Sequence, residues 1–357
     1  MNRGADLPPS RSRRRARLQQ RRRRRTRKIL VVGCGVVIVG IGVWVLAGGL
    51  TSGPSARRAN KVQVAPRPGT TPTSLTAAPS QRDEAPLPVA IQESAAAATP
   101  SRLYVAGGYD TARNSSAAVF TFDGSSWANG PALPIAVNHP AAAAIGDDVY
   151  VAGGFAAGPS SNRVFVLSHG ATTWRELAPM RRARGALALL SIGQRLYAIG
   201  GLDGTTQVAV PEVYDPTKAT WSDLPPMPRP RNHAGGYVDG ALACVAGGRE
   251  PATNATIDCL DTTTVTWRPP VLMPTATSGA AAAFLNGLTV VAGGEPSNET
   301  SIFGDVQELR AGAWTTQPMV TPRHGTGFAI FQHRLWLCGG ATAPGFHAVS
   351  TCTSMTA

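Results

Sequence analysis

Apolar and polar positions divide the chain into three regimes. Residues 29–50 form an unbroken uncharged run dense in Val, Ile, Leu and Gly. Residues 51–80 show no apolar period, and from about residue 81 short apolar runs of strand length recur to the end. Six of these runs close on a glycine pair whose second members are Gly108, Gly154, Gly201, Gly248, Gly294 and Gly340, giving steps of 46, 47, 47, 46 and 46 residues. A tryptophan follows each of the first five pairs by 19 or 20 residues: Trp127, Trp174, Trp221, Trp267 and Trp314. Twenty-one residues before each second glycine stands Leu87, Leu133, Met180, Met227, Met273 or Met319. A period this constant outranks any local reading of secondary structure.

Each unit holds four short β segments. The first is rich in small residues and is expected at 95–98, 141–144, 185–191, 233–238, 279–284 and 325–330. The second ends in Gly-Gly, the third resembles Glu212-Val213-Tyr214-Asp215, and the fourth starts near the tryptophan. Four strands repeated radially make propeller blades, whose innermost strands crowd the axis and accept only small side chains. A β-sandwich or solenoid accommodates six equal units less well than a closed ring does. The expected fold is therefore all-β, a six-bladed propeller over residues 81–357, preceded by one transmembrane helix and a disordered linker. The last unit lacks its tryptophan, and residues 87–91 mirror residues 133–137. Residues 82–88 are accordingly expected to supply the missing fourth strand of the sixth blade, removing an exposed edge.

The Gly-Gly pairs, the spaced tryptophans, the segment from Glu212 to Pro216 and the Met-Pro-x-Pro-Arg segment from Met227 to Arg231 resemble the kelch repeat family. The resemblance covers about residues 81–357 and implies a six-bladed propeller akin to the central domain of galactose oxidases. The Gly-His and Trp-Asp signatures of the other common propeller repeat are missing.

Charge sharpens the picture at the N-terminus. Residues 1–28 carry thirteen Lys/Arg against one acid, Asp6, and so hold +12 of the net +13. These cations sit in an Arg/Ser/Gln run outside the repeats, which argues against nucleic acid as a partner. The following 22 uncharged residues, as a helix, span roughly 30 Å, the thickness of a hydrocarbon core. Residues 29–50 are read as an uncleaved signal anchor with the basic tail cytoplasmic and the propeller extracytoplasmic at the cell membrane. Secretion after signal cleavage is the alternative. Gly33, Gly35, Gly40, Gly42 and Gly49 fall at seven-residue spacings that permit weak self-association of the helix. Residues 51–80, rich in Pro, Thr, Ser and Ala, read as a spacer.

Cys34 lies in the apolar run, whereas Cys244 and Cys259 fall on the second and third strands of unit four, and Cys338 and Cys352 on those of unit six. Two such pairs suit disulfides in an oxidising compartment. Both disulfides are expected, against free buried thiols as the alternative, although the two units place their first cysteines two positions apart, an offset that would set one pair diagonal.

Candidate chemistry centres on the residues entering strand one. Seventeen residues before the second glycines stand Ile91, Val137, Arg184, Arg231, Thr277 and Arg323, with His139, His233 and His324 nearby. Three arginines around a channel mouth would suit a carboxylate or phosphate. The bland alternative pairs them with loop acids such as Asp110, Asp203 and Glu250. The six histidines show no close ligand spacing, so neither metal nor cofactor is expected. The copper site of kelch-like galactose oxidases is not expected, because Tyr104, Tyr150 and Tyr197 occupy a repeated column and the cysteines are accounted for as pairs. Asn114, Asn254 and Asn298 head Asn-x-Ser/Thr sequences, but the Ala/Arg-rich composition points to a bacterial source and glycosylation is not expected. The leading functional expectation is a tethered module binding a protein or a cell-envelope saccharide on its loop face. The rival is an extracytoplasmic, cofactor-independent sugar-processing enzyme, since some bacterial six-bladed kelch proteins resemble sialic-acid epimerases. That rival requires an acid/base cluster at the mouth.

Overall fold

The computed structural model describes residues 80–356. The basic tail 1–28, the apolar run 29–50 and the linker up to residue 79 lie outside the described residues, and so do the expectations attached to them. Among the described residues no helix is long and apolar enough to cross a membrane.

Six antiparallel sheets follow one another along the chain. Blade one comprises Ala95–Ala98, Leu103–Ala106, Val119–Phe122 and Trp127–Asn129, and blades two to five repeat that order. In blade four Val271–Leu272 adds a second segment beside Thr256–Asp261. Blade six is built from Gly327–Phe331, Arg334–Cys338, Cys352–Met355 and Gln81–Glu84. Its outer strand thus comes from the start of the propeller, with Gln81 opposite Met355 and Glu84 opposite Cys352. Residues 85–88 continue past the strand without sheet pairing, and there Ala85 O accepts a 2.8 Å bond from Trp127 Nε1 of blade one. The same stitch recurs from Trp174 to Pro131, Trp221 to Ala178 and Trp267 to Pro225, so each of these indoles ties its own blade to the segment leaving the preceding one.

The core lies between adjacent sheets. Met180, for example, packs with Tyr214 and Trp221 against Val164 and Val166 of the neighbouring blade. Leu87, Leu133, Met180, Met227, Met273 and Met319 are all buried, which explains why a flexible or branched apolar side chain fills that column in every unit. The innermost strands are poor in bulk because each faces its counterparts across the axis, and alanines from all six blades line a central channel of about 330 Å³.

Both glycines of all six pairs have φ between 64° and 101°. A side chain on the first glycine would meet a carbonyl leading into the next blade, Arg231 O for Gly200 and Thr277 O for Gly247, and one on the second a carbonyl of its own blade, Gly185 O for Gly201 and Asn232 O for Gly248. The glycine pair is therefore required both by backbone conformation and by close approach.

In blades three to six the innermost strands begin at Ala188, Gly235, Ala281 and Gly327, later than the expected starts at 185, 233, 279 and 325. The shift has a local cause. Ala186, His233, Gly279 and Gly325 have φ of 50–65°, a left-handed conformation that cannot extend a strand.

The cysteines are joined as Cys244–Cys259 and Cys338–Cys352. The expected diagonal offset does not occur, because each pair lies directly opposite in register with Cα atoms 4.1 Å apart. A longer loop between the second and third strands of blade six shifts their pairing and brings Cys338 onto Cys352. Replacing both Cys338 and Cys352 by Ser should lower unfolding free energy by about 3 kcal/mol, the loop-closure value for a ring near 15 residues. Denaturant melts with and without reductant check this, and coincident curves would exclude it.

Candidate functional site

Arg184, Arg231 and Arg323 do not line the mouth. All three are fully buried inside their blades. Arg184 Nη2 lies 2.5 Å from Glu212 Oε1, while its Nη1 donates to Gly200 O at 3.0 Å. Arg231 pairs with Asp258 and donates to Gly247 O at 2.8 Å and Thr256 O at 3.0 Å. Arg323 has no acid in hydrogen-bond reach among the described residues and donates to Gly339 O and Thr351 O, both at 2.8 Å. In the same register Thr277 Oγ1 donates to Gly293 O at 2.8 Å. The column thus satisfies the first carbonyl of the following glycine pair, and its acids lie on strand three rather than on the loops. The expectation of an arginine-lined mouth is corrected because side chains at this register turn into the blade.

The mouth is formed one and two residues later. Glu93, His139, Ala186, His233, Gly279 and Gly325 occupy one register, fifteen residues before each second glycine. Every member has φ of 50–64°. Their backbones close a ring: His139 N donates to Glu93 O, Ala186 N to His139 O, His233 N to Ala186 O, Gly279 N to His233 O, Gly325 N to Gly279 O and Glu93 N to Gly325 O, at 2.7–3.0 Å. One residue per blade thus encircles the axis and separates the alanine channel from a loop-side funnel of about 870 Å³. Non-glycine residues in this conformation are uncommon and tend to cluster at functional sites.

His139, His233 and His324 are all brought to this funnel. The His139 and His233 rings meet edge-on with centroids 5.0 Å apart, and His139 Nε2 lies 3.3 Å from Glu93 Oε2. Burial lowers the pKa of His139 despite the opposing field of Glu93, and burial together with the positive neighbourhood of His139 and Arg249 takes His233 well below the usual histidine value. Both rings are therefore neutral near pH 7. Across the funnel Glu295 Oε2 faces His324 Nδ1 at 3.3 Å, and neither atom has another partner. Burial pushes the Glu295 carboxyl up to about 8 even though Arg249 donates to it at 3.1 Å.

Sequence reading missed Glu93, Glu295, Glu299 and Arg249. Glu93 was legible, because it fills the same column as His139 and His233. Glu295 and Arg249 directly follow glycine pairs, in register with Tyr109 and Phe155. The absence of close histidine spacing along the chain likewise proves no guide to the fold: among the described residues, Glu93, His139 and His233 each present a ligand atom, all within 4.8 Å of one another. Part of the remaining wall is aromatic. Tyr109 packs edge-on against His139 and Phe346, and the Arg113 guanidinium lies 4.7 Å above the Phe346 ring. Gly185 leaves room for Phe155, whose ring would collide with any side chain there.

Glu295 makes stability pH-dependent. Its folded pKa of about 8 exceeds the ordinary 4.5, so between those values the folded state holds a proton that the unfolded state releases. Stability should fall as pH rises through that window, and Glu295→Gln should flatten the profile. Parallel melting-temperature profiles for the two proteins would contradict this.

Six four-stranded blades, glycine pairs that seat the next blade, and a loop-side mouth on the axis define a kelch-type propeller. Residues 93–294 match the KLHDC2/KLHL20/DRC7 Kelch-repeats domain, more than half of the chain, and the chain belongs to the kelch-repeat family. The solved "Structure of YjhT" is similar in fold, with a TM-score of 0.66 at 18% identity over 76% of this chain and 96% of that one. No curated protein matches the sequence.

Proposed function

We propose that the chain is a membrane-tethered, extracytoplasmic binding module that takes an uncharged saccharide in its loop-side funnel. Kelch propellers are binding modules in general, and the chemistry of this funnel selects among ligands. The carrying observation is that carboxylates, imidazoles and the amides of Gln92, Gln207 and Asn232 converge with Tyr109, Phe155 and Phe346 in one concavity. Rings cover the apolar faces of a sugar while fixed acceptors and donors engage its hydroxyls. An acidic ligand fits less well. Among the described residues that line the funnel, Arg249 is already committed to Glu295 and Glu299, the latter at 2.7 Å, and Arg113 lies over the Phe346 ring, while Glu93 and Glu299 add carboxylates that oppose an anion. The apolar run at 29–50 with its basic flank supports tethering, and the two cysteine pairs suit an oxidising compartment.

The test is calorimetry of the full chain in detergent against neutral and acidic mono- and oligosaccharides. Binding of a neutral sugar should weaken about tenfold in Tyr109→Ala or Phe346→Ala, equivalent to roughly 1.4 kcal/mol for a lost ring. Preference for acidic sugars, or indifference to both substitutions, would reject the reading.

A second reading, a cofactor-independent sugar-processing enzyme, draws support from the Glu295–His324 pair. A carboxyl with a pKa near 8 beside a partnerless imidazole nitrogen is an acid/base couple close to working pH. Exchange or epimerisation of a bound sugar, followed by NMR and abolished by Glu295→Gln, would distinguish an enzyme from a binder.

A further inference from the structure

We propose that Glu93, His139 and His233 bind a single late first-row divalent metal ion, of the zinc type, at the floor of the funnel. The separation between ligand atoms is the first argument. A tetrahedral ion with bonds of about 2.0–2.1 Å sets its ligands roughly 3.3 Å apart. His139 Nε2 and Glu93 Oε2 already stand 3.3 Å apart, and the third ligand atom lies within 4.8 Å of both. Uptake of the ion would draw the third ligand atom in through small shifts of the side chains.

The tautomers form the second argument. Asn138 Nδ2 donates to Phe155 O at 3.2 Å and Asn232 Nδ2 to Arg249 O at 3.5 Å. A carbonyl oxygen only accepts, so each amide must face it with nitrogen and turn its Oδ1 to the neighbouring histidine. Asn138 Oδ1 then accepts from His139 Nδ1, at 2.6 Å, and Asn232 Oδ1 accepts from His233 Nδ1. With Nδ1 carrying the hydrogen, a neutral ring presents its Nε2 lone pair toward the centre. Metal-ligating histidines are oriented by this kind of outer contact. The Asn-His dipeptide occurs in blades two and four, and both copies are used in the same way.

Rigidity is the third. All three ligands sit in the hydrogen-bonded backbone ring, each held at a left-handed φ. On the opposite side of the ring Gly279 and Gly325 contribute no side chain, and a Cβ at Gly325 would run into the Glu93 carboxylate. Two imidazoles and one carboxylate leave a coordination position open to the funnel, where water or a sugar hydroxyl can enter. The competing arrangement puts a proton in place of the ion, making an imidazolium–carboxylate pair of Glu93 and His139. That arrangement leaves His233 outside the pair, so metal titration distinguishes the two.

The experiment strips the untagged full chain in detergent with a chelator, then titrates it with Zn²⁺ by calorimetry and with Co²⁺ by visible absorption. One ion per chain is expected, with the intense d–d bands of a low-coordinate site. His139→Ala and His233→Ala should abolish uptake. Asn138→Ala and Asn232→Ala, which keep all three ligands, should weaken it about 10- to 100-fold. Replacing His169, His333 or His347 should change nothing, and melting curves establish that each variant is folded. Absence of saturable uptake by the wild-type chain, or equal uptake by folded His139→Ala and His233→Ala, overturns the site. The outcome is independent of whether a saccharide binds.

Discussion

Deleting residues 80–90 is expected to open the ring and bring the propeller close to unfolding at ambient temperature. The deletion removes the outer strand Gln81–Glu84 and leaves Cys352–Met355 as an unpaired edge. It also removes Leu87, and with it a side chain only 3% exposed in the cluster that joins blade six to blade one. Burying such a side chain contributes about 1.5–3 kcal/mol before any ladder hydrogen bond is considered. Trp127 would also lose the acceptor for its half-exposed indole N–H, Ala85 O, a bond whose net contribution is about 0.5–1.5 kcal/mol. Domains are stable by only about 5–15 kcal/mol, so these losses consume much of the total. A denaturant midpoint within error of the full chain would show that the ring closes by other means. Leu87→Ala alone, at about 2–5 kcal/mol, separates the packing contribution from the strand itself.

Arg231→Ala is expected to destabilise the fold by about 3–5 kcal/mol while leaving ligand affinity of the folded protein unchanged. The substitution strands Asp258, which is fully buried and would retain only Arg229, a side chain one-third exposed, as a charged neighbour. It also strips a donor from Gly247 O and Thr256 O. Arg231→Lys should recover little, because an ammonium cannot span two carbonyls and a carboxylate as the planar guanidinium does. Thr277→Val, at the same register but uncharged, should cost only about 1 kcal/mol. Equal stability of Arg231→Ala and the wild type, or a selective loss of ligand binding, would return this arginine to the mouth.

These two expectations show where sequence reading succeeded and failed. Repetition made the blades legible because every unit meets the same packing problem. The methionine or leucine fills the gap between sheets, the tryptophan bonds back to the preceding segment, and the glycine pair admits a neighbouring carbonyl. Failure came over a distance of two residues. Arg184, Arg231 and Arg323 precede the innermost strands as expected, but direction of a side chain depends on a backbone turn that spacing does not reveal. The arginine turns into the blade, and two residues on a left-handed φ aims Glu93, His139 and His233 at the axis. Glu295 was missed for a different reason: nothing local marks a glutamate that follows a glycine pair as buried.

The repeat period, the four-strand unit, the small inner strands and the cysteine columns were all present in the sequence, since each records a local requirement met six times or twice. The cysteine pairs were legible too, and tertiary structure alone decided that both stand directly opposite rather than diagonally, because loop length sets strand register. It alone decided that the arginines serve the blades and that residues some 46 and 94 positions apart, Glu93, His139 and His233, meet around one axis. Closing a ring brings equivalent positions of different blades together, and no spacing along the chain states how far each side chain reaches toward the centre.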